Sequence, residues 1–236
     1  MKTGSARLQL SVLCLLISFT LGTPSTAQVG DSADSWSVDA AVSVVSDYRF
    51  RGFSLNNERP AVQSELWIAH HTGVYTGVWG SNVADLGGDG IEFDPSIGFA
   101  TSVGVLEIDI WTTYYLYPGA SEFNYIEIGS KISTLVGPAT IGLELGYAPS
   151  QDNIGGIDNR YASAFASAPL GATGITLEGA FGVEDGAFGD NKLDWSAGAS
   201  TELKGFTLSA HYMDAARHAG SALADPTIVA AVRYSF

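Results

Sequence analysis

Apolar and polar side chains alternate along most of the chain with a period of two, which is the spacing of a β-strand whose two faces have different surroundings. The alternation is clearest from Trp36 to Phe53. A stretch of this length exceeds the roughly five or six residues of a typical soluble strand and suits a tilted strand that crosses a membrane with its flanks. We therefore predict one long strand over this segment.

The same alternation returns as far as the C-terminus and predicts about twelve strands, an even number, as bacterial outer-membrane barrels have. The gaps between strands alternate between long polar loops, such as Pro149 to Asn159 and Glu184 to Asn191, and tight turns, such as His71 to Gly73. Long outer loops and short periplasmic turns are typical of these barrels. The sequence thus predicts an all-β fold, a transmembrane antiparallel up-and-down β-barrel of about twelve strands.

The N-terminus has the order of a secretory signal peptide. Two basic residues come before an apolar run from Leu8 to Leu21, and small residues follow as far as Ala27. This order of a basic start, a short apolar stretch and a small-residue cleavage site predicts a signal peptide over residues 1–27 and a barrel domain over residues 28–236. The alternative for the apolar run is a buried core helix, since the run is short for a membrane-spanning helix.

Cysteine content and charge exclude several classes of protein. Cys14, the only cysteine, lies inside the predicted signal peptide, which excludes a secreted mini-domain held by disulfides. It also lacks the small neighbours of a lipoprotein site. The formal net charge is −14, and loss of Lys2 and Arg7 with the signal peptide brings it near −16. Such an acidic chain is a poor partner for nucleic acid or for an anionic membrane surface.

Aromatic side chains near the strand ends support a membrane barrel, because such barrels carry an aromatic girdle at each interface. The alternative is that aromatic residues simply favour strands. With both termini on the periplasmic side, the predicted membrane-interface aromatics are Trp36, Tyr48, Phe50, Tyr75, Tyr114, Tyr147, Phe206, Tyr212, Tyr234 and Phe236.

The polar face of the predicted strands is mainly acidic and would line the barrel lumen. Because rings of carboxylates favour cations, we predict a narrow, cation-preferring pore in which Arg49 and Arg51 oppose carboxylates at a constriction. The alternative is a salt-bridge network that fills the lumen, since twelve strands lie between filled barrels of about eight and open barrels of about sixteen. The predicted pore-lining residues are Asp39, Asp47, Arg49, Arg51, Glu65, Glu92, Asp94, Glu107, Asp109, Glu127, Lys131, Glu144, Glu178, Asp194, Glu202 and Arg233.

The sequence predicts no catalytic residues, no metal site and no cofactor. His211 and Ser209 share a strand face, but residues two apart on one face are separated by about 7 Å, too far for a hydrogen-bonded base and nucleophile. His70 and His71 fall at a predicted periplasmic turn, and adjacent residues on a strand would point apart, which disfavours a metal site formed by the two. The acidic outer loops offer oxygen ligands for Ca²⁺, but their spacing matches no calcium motif.

Several segments resemble the TorF-type porin family of proteobacteria, also called Gcw_chp. The resemblance is carried by the segments Val45–Gly52, Pro60–Gln63, Gly73–Asn82, Tyr114–Gly119 and Asn124–Glu127. It is close from about Ser46 to Glu127, and further on only the pattern and the ending agree. It implies an outer-membrane barrel with a porin role, and it brings no catalytic or binding residues with it.

The ending in Phe236, with Tyr234 and Val232 on the same face, is similar to the terminal strand signal of outer-membrane barrels and predicts contact with the barrel-assembly machinery. The sequence thus predicts an outer-membrane protein, surrounded by lipid, that forms a porin-like channel for passive passage of small hydrophilic solutes or ions. One alternative is a non-conducting barrel with a structural, adhesive or receptor role through its extracellular loops. Another is a soluble secreted β-sandwich that binds a ligand.

Overall fold

The computed structural model describes residues 35–84, 90–218 and 220–236. The predicted signal peptide, residues 1–27, lies outside the described residues. Within those residues, no helix has both the length and the apolar character needed to cross a membrane.

Twelve of the strands in the described residues form one closed antiparallel barrel, which confirms the predicted architecture. Each barrel strand pairs with the next barrel strand along the chain, so that β1 pairs with β4. The first strand, β1, also pairs with the last, β14, and closes the sheet. The two short strands β2 and β3 pair with each other. The strands are β1 (Trp36–Val45), β2 (Arg49–Phe50), β3 (Phe53–Ser54), β4 (Ala61–His70), β5 (Val74–Asn82), β6 (Ile91–Val103), β7 (Leu106–Tyr115), β8 (Tyr125–Val136), β9 (Ala139–Ala148), β10 (Asn159–Pro169), β11 (Ile175–Gly186), β12 (Gly189–Leu203), β13 (Phe206–Ala216) and β14 (Thr227–Ser235).

The barrel has two different ends. Trp36 and Ser235 lie at what we call the lower end, where short turns join the strands. The upper end carries the longer connections, which include single 3-10 turns at Ser121–Phe123, Asp152–Ile154 and Ala222–Ala224. The described strands and turns therefore follow the predicted alternation, with one exception: β11 reaches Gly186 and β12 begins at Gly189, so the predicted outer loop from Glu184 to Asn191 is a tight turn.

The period of two separates an apolar outer face from a polar inner face. In β4, Gln63 and Glu65 are buried inside the barrel, whereas Val62 and Leu66 are 57% and 43% exposed on its outside. The same exposed apolar band continues on the other barrel strands. This arrangement is the inverse of a soluble barrel and is the one that suits a lipid surround.

The predicted long strand from Trp36 to Phe53 was wrong in its second half. β1 ends at Val45, and the chain then turns into the lumen as the small β2–β3 hairpin. Arg51 and Gly52 form its turn, with φ values of 47° and 85°. Two consecutive positive φ values are what a two-residue hairpin turn needs. The alternation continues past Val45 because a hairpin packed against a lumen wall also has one buried face.

Inward-facing glycines make room for aromatic rings on neighbouring strands. A Cβ at Gly129 would lie 2.0 Å from Cζ2 of Trp111, and one at Gly98 would lie 2.3 Å from Cζ of Tyr75. The same relation joins Gly142 to Phe165. These rings therefore lie flat against the wall of the barrel instead of projecting across its lumen.

The predicted interface aromatics divide into two groups. The structure places Tyr48 and Tyr75 inside the barrel, where both are buried, and Phe50 half-buried on the inner hairpin, so the interface assignment was wrong for these three. Tyr75 faces inward because its ring packs over Gly98 and its hydroxyl donates to Asp109. The remaining seven are exposed on the outer surface: Trp36, Tyr114, Tyr147, Phe206, Tyr212, Tyr234 and Phe236.

Substituting Gly129 tests the packing of rings on glycines. Gly129→Ala is expected to displace Trp111 and to destabilise the barrel by about 1–3 kcal/mol, the usual range for overpacking. Gly179→Ala is the matched control, because a Cβ there lies 3.4 Å from the nearest atom, the Ser196 carbonyl oxygen. Thermal unfolding in detergent and the tryptophan emission spectrum are the measurements. Equal behaviour of the two variants would contradict the packing described.

Candidate functional site in the barrel lumen

Residues 46–60, which we call the inner segment, leave and re-enter the barrel wall at one point. Val45 ends β1, Ala61 begins β4, and these two residues are cross-strand partners. The whole inner segment is therefore an insertion between adjacent strands. Asn56 fixes its return to the wall, because its side-chain amide donates to the carbonyl oxygen of Pro60 at 2.9 Å.

The inner segment crosses the upper lumen and reaches the opposite wall. At its tip, the guanidinium of Arg51 lies 4.1 Å from the ring centroid of Tyr161 in β10, which is six strands from β4 in the closed order of twelve. The segment therefore spans the lumen. On the way it passes close to β13 and β12, because a Cβ on Gly52 would be 2.8 Å from the Cβ of Ala215 and 3.1 Å from that of Asp194.

Arg51 is fixed to the far wall by ion pairs. It donates to both carboxylate oxygens of Glu127, at 2.6 and 2.9 Å, and to Oε1 of Glu184 at 2.8 Å. Lys192 also pairs with Glu184 and donates to the backbone oxygen of Arg51. A bidentate guanidinium–carboxylate pair is the strongest common form of this contact. The tip is thus attached to β8, β11 and β12 together.

The electrostatics of the tip favour the charged form of Arg51. Burial alone would lower the pKa of its guanidinium, but the negative charges of Glu127 and Glu184 outweigh burial and raise that pKa above its ordinary value. Arg51 is therefore a permanent positive charge in the upper lumen, as arginine is in nearly all proteins.

Arg49 stabilises the base of the inner segment and its contact with a neighbouring loop. Its Nε donates to Asp47 at 2.7 Å, and its Nη1 donates to the backbone oxygen of Asp225 at 2.7 Å. Ser54 donates to the other oxygen of Asp47 at 2.6 Å. Of the two arginines predicted to oppose carboxylates on the barrel wall, Arg51 does so, and Arg49 pairs within its own segment.

Aromatic side chains surround the inner segment in the upper lumen. Tyr48 packs on Trp79 with ring centroids 5.2 Å apart, and Phe50 packs on Tyr115 at 6.0 Å. Tyr115 in turn stacks on Tyr125 at 4.4 Å. Together with the ion pairs of Arg51, these contacts fill the part of the upper lumen that the inner segment occupies.

The lower lumen has an acidic lining and also contains the buried rings of Trp67, Tyr75 and Trp111. His211 Nε2 lies 2.7 Å from Glu178, and Lys131 lies over the ring of Phe165 at 4.2 Å. The inward-facing charged residues below the inner segment are Asp39, Glu65, Asp109, Lys131, Glu144, Glu178 and Arg233. Arg233 pairs with Glu65. Glu107 and Glu202 are exposed near the lower rim.

Two residues that matter for the tip of the inner segment, Glu184 and Lys192, were missing from the predicted lining. Glu184 falls in the stretch from Glu184 to Asn191 that was predicted to be an outer loop, and Lys192 follows it directly. Glu184 continues the inward face of Glu178 along β11, and Lys192 precedes Asp194 on the inward face of β12. The alternation of inward and outward residues continues through that stretch, and following it would have identified both residues.

No three His, Cys, Asp or Glu side chains are grouped in the described part of the chain in a way that could hold a metal ion.

Residues 29–236 match the sequence model of a family described as "Bacterial protein of unknown function (Gcw_chp)". The chain belongs to this family. No curated protein sequence shows significant similarity to it.

Two solved structures are similar in fold. The KdgM porin superposes with a TM-score of 0.56 at 10% identity, covering 84% of this chain and 98% of that chain. The NanC porin superposes with a TM-score of 0.51 at 8% identity, with coverage of 84% and 98%. At this identity the likeness is one of fold, a twelve-stranded barrel in the case of this chain.

Removing the charge at the tip of the inner segment tests the attachment to the far wall. Arg51→Ala leaves Glu127 buried without a cationic partner, and breaking a buried pair from one side costs about 3–5 kcal/mol. Arg160→Ala is the control, because Arg160 pairs with Asp158 on the exposed surface, where solvent screens the pair and its loss should change stability little. Thermal unfolding midpoints in detergent give the comparison. If both variants unfold at the wild-type temperature, the attachment contributes nothing to stability.

Proposed function

We propose that this protein is an outer-membrane, porin-like channel for passive passage of small hydrophilic solutes or ions, narrowed by its inner segment. The observation that carries the proposal is a closed barrel with an apolar outside and a charged inside, crossed by one segment attached at Arg51. The fold likeness to proteins named as porins supports it.

The proposed location is the bacterial outer membrane, with lipid around the barrel. Export would use the predicted signal peptide, cleaved near Ala27, and insertion would use the terminal strand that ends at Phe236. A band of exposed aliphatic side chains and the seven outward-facing aromatic residues support contact with lipid. Phe206, Tyr234 and Phe236 pack on one another near the lower end, as a membrane-interface cluster would.

Cation preference is part of the proposal. In the lower lumen, acidic side chains outnumber basic ones. In the upper lumen, Glu127 and Glu184 already neutralise the positive charge of Arg51 at the tip of the inner segment. Solutes that pass the inner segment would therefore meet mainly carboxylates. Rings of carboxylates raise the local concentration of cations and lower that of anions.

A second candidate function is a non-conducting barrel that acts through its upper loops. The burial of Tyr48, Arg49, Ser54 and Asn56 in the upper lumen favours it, because these residues leave little room beside the inner segment. Structure and sequence support both candidates, and conductance separates them.

Shortening the inner segment is the decisive experiment. Because Val45 and Ala61 are cross-strand partners, residues 46–60 can be replaced by Asn-Gly, which closes a two-residue hairpin without changing the register. In a planar bilayer, the shortened protein is expected to conduct several times more current per step than the wild type, since the obstruction is gone.

The control for this experiment is a second shortened loop. Residues 149–158 connect β9 to β10 and are mostly exposed, and their flanking residues Ala148 and Asn159 are also cross-strand partners. The same Asn-Gly replacement there is expected to leave the conductance unchanged. If folded wild-type and inner-segment-shortened proteins are both silent, the channel proposal is wrong and the second candidate stands.

Ion selectivity tests the acidic lining. Under a salt gradient, the reversal potential of the wild type is expected to favour the cation, and the double variant Asp39→Asn with Glu144→Gln is expected to weaken that preference. Glu122→Gln, which neutralises an exposed carboxylate in an upper loop, is the control and should leave the potential unchanged. A wild-type preference for the anion would contradict the proposed role of the lining.

A further inference from the structure

Three polar side chains are buried together where the inner segment covers β4, β5 and β6. Gln63 and Glu92 are each 1% exposed, and Asp94 is fully buried. They share the inner face of the wall: Gln63 is the partner of Ser81 across β4 and β5, and Ser81 is the partner of Glu92 across β5 and β6. Glu92 and Asp94 follow each other on the inward face of β6.

Most polar atoms of this group have no hydrogen-bond partner among the described residues. They are both amide atoms of Gln63, Oε2 of Glu92 and both carboxylate oxygens of Asp94. The other oxygen of Glu92 accepts a hydrogen bond from the Tyr117 hydroxyl at 2.7 Å. The hydroxyl of Tyr48 also faces Glu92. The backbone N–H of Leu116 faces Asp94, although its hydrogen bond at 2.9 Å goes to the carbonyl oxygen of Phe93. Buried polar atoms without partners are rare in folded proteins, and each one is a sign of something that satisfies it.

The cationic side chains of the upper lumen are engaged elsewhere. Arg49 pairs with Asp47, Arg51 pairs with Glu127 and Glu184, and Lys192 pairs with Glu184. The carboxylates of Glu92 and Asp94 are thus left without a basic partner in the ion pairs of the described chain. Two buried carboxylates cannot both remain ionised without a compensating positive charge.

We propose that Gln63, Glu92 and Asp94 bind one divalent cation of the Ca²⁺ type. Carboxylate and amide oxygens are the ligands that hard cations prefer, and the charge of such a cation matches that of the two carboxylates. Three side chains supply oxygen ligands here, two of them carboxylates, and water would complete the coordination. The proposal does not require that the barrel conduct.

Binding at this place would hold the inner segment against the wall. Tyr48, the first aromatic residue of the segment, packs on Trp79, which is the cross-strand partner of Asp94. A cation beside Glu92 and Asp94 would neutralise the wall beneath Tyr48, so its binding should stabilise the packed position of the segment. The tip at Arg51 is held by β8, β11 and β12, and this site lies on β4 and β6, so the two provide separate attachments.

Terbium luminescence tests the proposal, because Tb³⁺ takes Ca²⁺ sites and is sensitised by nearby aromatic rings such as Trp79. The folded wild-type barrel, stripped with a chelator, is expected to give a saturable signal that Ca²⁺ displaces. Asp94→Asn and Glu92→Gln, each shown to be folded by its mobility on an unheated gel, are expected to lose that signal. Asp109→Asn is the matched control: Asp109 is an inward-facing carboxylate that already accepts a hydrogen bond from Tyr75.

A second measurement keeps the proposal falsifiable if a variant fails to fold. The unfolding temperature of the wild type is expected to rise with added Ca²⁺ and to fall with a chelator. No saturable luminescence in the wild type would overturn the proposal, as would an equal signal in Asp94→Asn and Asp109→Asn. A wild-type unfolding temperature that depends on pH but not on Ca²⁺ would also overturn it, and would assign the compensating charge to a proton.

Discussion

Closure of the sheet is the constraint from which the rest of the structure follows. Pairing of β1 with β14 leaves no strand edge in the barrel wall, so the backbone needs no partner from its surroundings. The outer face can then be apolar throughout, and the polar half of each strand must face a narrow interior. Charged groups that are buried there need partners within that interior, because an unpaired buried charge is costly.

The inner segment supplies positive charge to an acidic part of the barrel wall. Among the wall residues that the structure describes around its tip, Lys192 is the one cationic side chain beside Glu127, Glu184 and Asp194, so the guanidinium of Arg51 is needed to balance them. The inner segment therefore fills the upper lumen and at the same time balances the charge of the wall around its tip. Nearer its start, the segment presents Tyr48 instead of a cation to Glu92 and Asp94, and the charge of the wall there remains uncompensated by the described side chains.

The period-of-two alternation predicts much of the fold, and the wrong predictions made from it have one cause: a local pattern does not show which parts of the chain come together. The period of two predicts the strands and their inward and outward faces, because side chains alternate strictly across a sheet. It cannot tell a strand in the wall from a hairpin packed inside, so the inner segment was taken as part of β1. It also cannot place an aromatic ring: Tyr75 faces inward because Gly98 lies beneath it on the next strand, and that relation depends on register, not on either residue alone.

The candidate site was predictable as a set of charges but not as a geometry. Asp39, Glu127 and Asp194 have the inward orientation expected from their alternation. Which charges meet depends on contacts between residues far apart in the chain, such as Arg51 and Glu184, and local patterns carry no information about them.

The adjacency of Val45 and Ala61 has an evolutionary consequence. Whatever occupies the lumen from this side is encoded by one uninterrupted stretch of the gene, and the wall is encoded elsewhere. Mutation can lengthen, shorten or recharge that stretch without shifting the hydrogen-bond ladder of a single strand. A lineage built on this barrel can therefore change what fills its lumen while the scaffold that must fold stays the same.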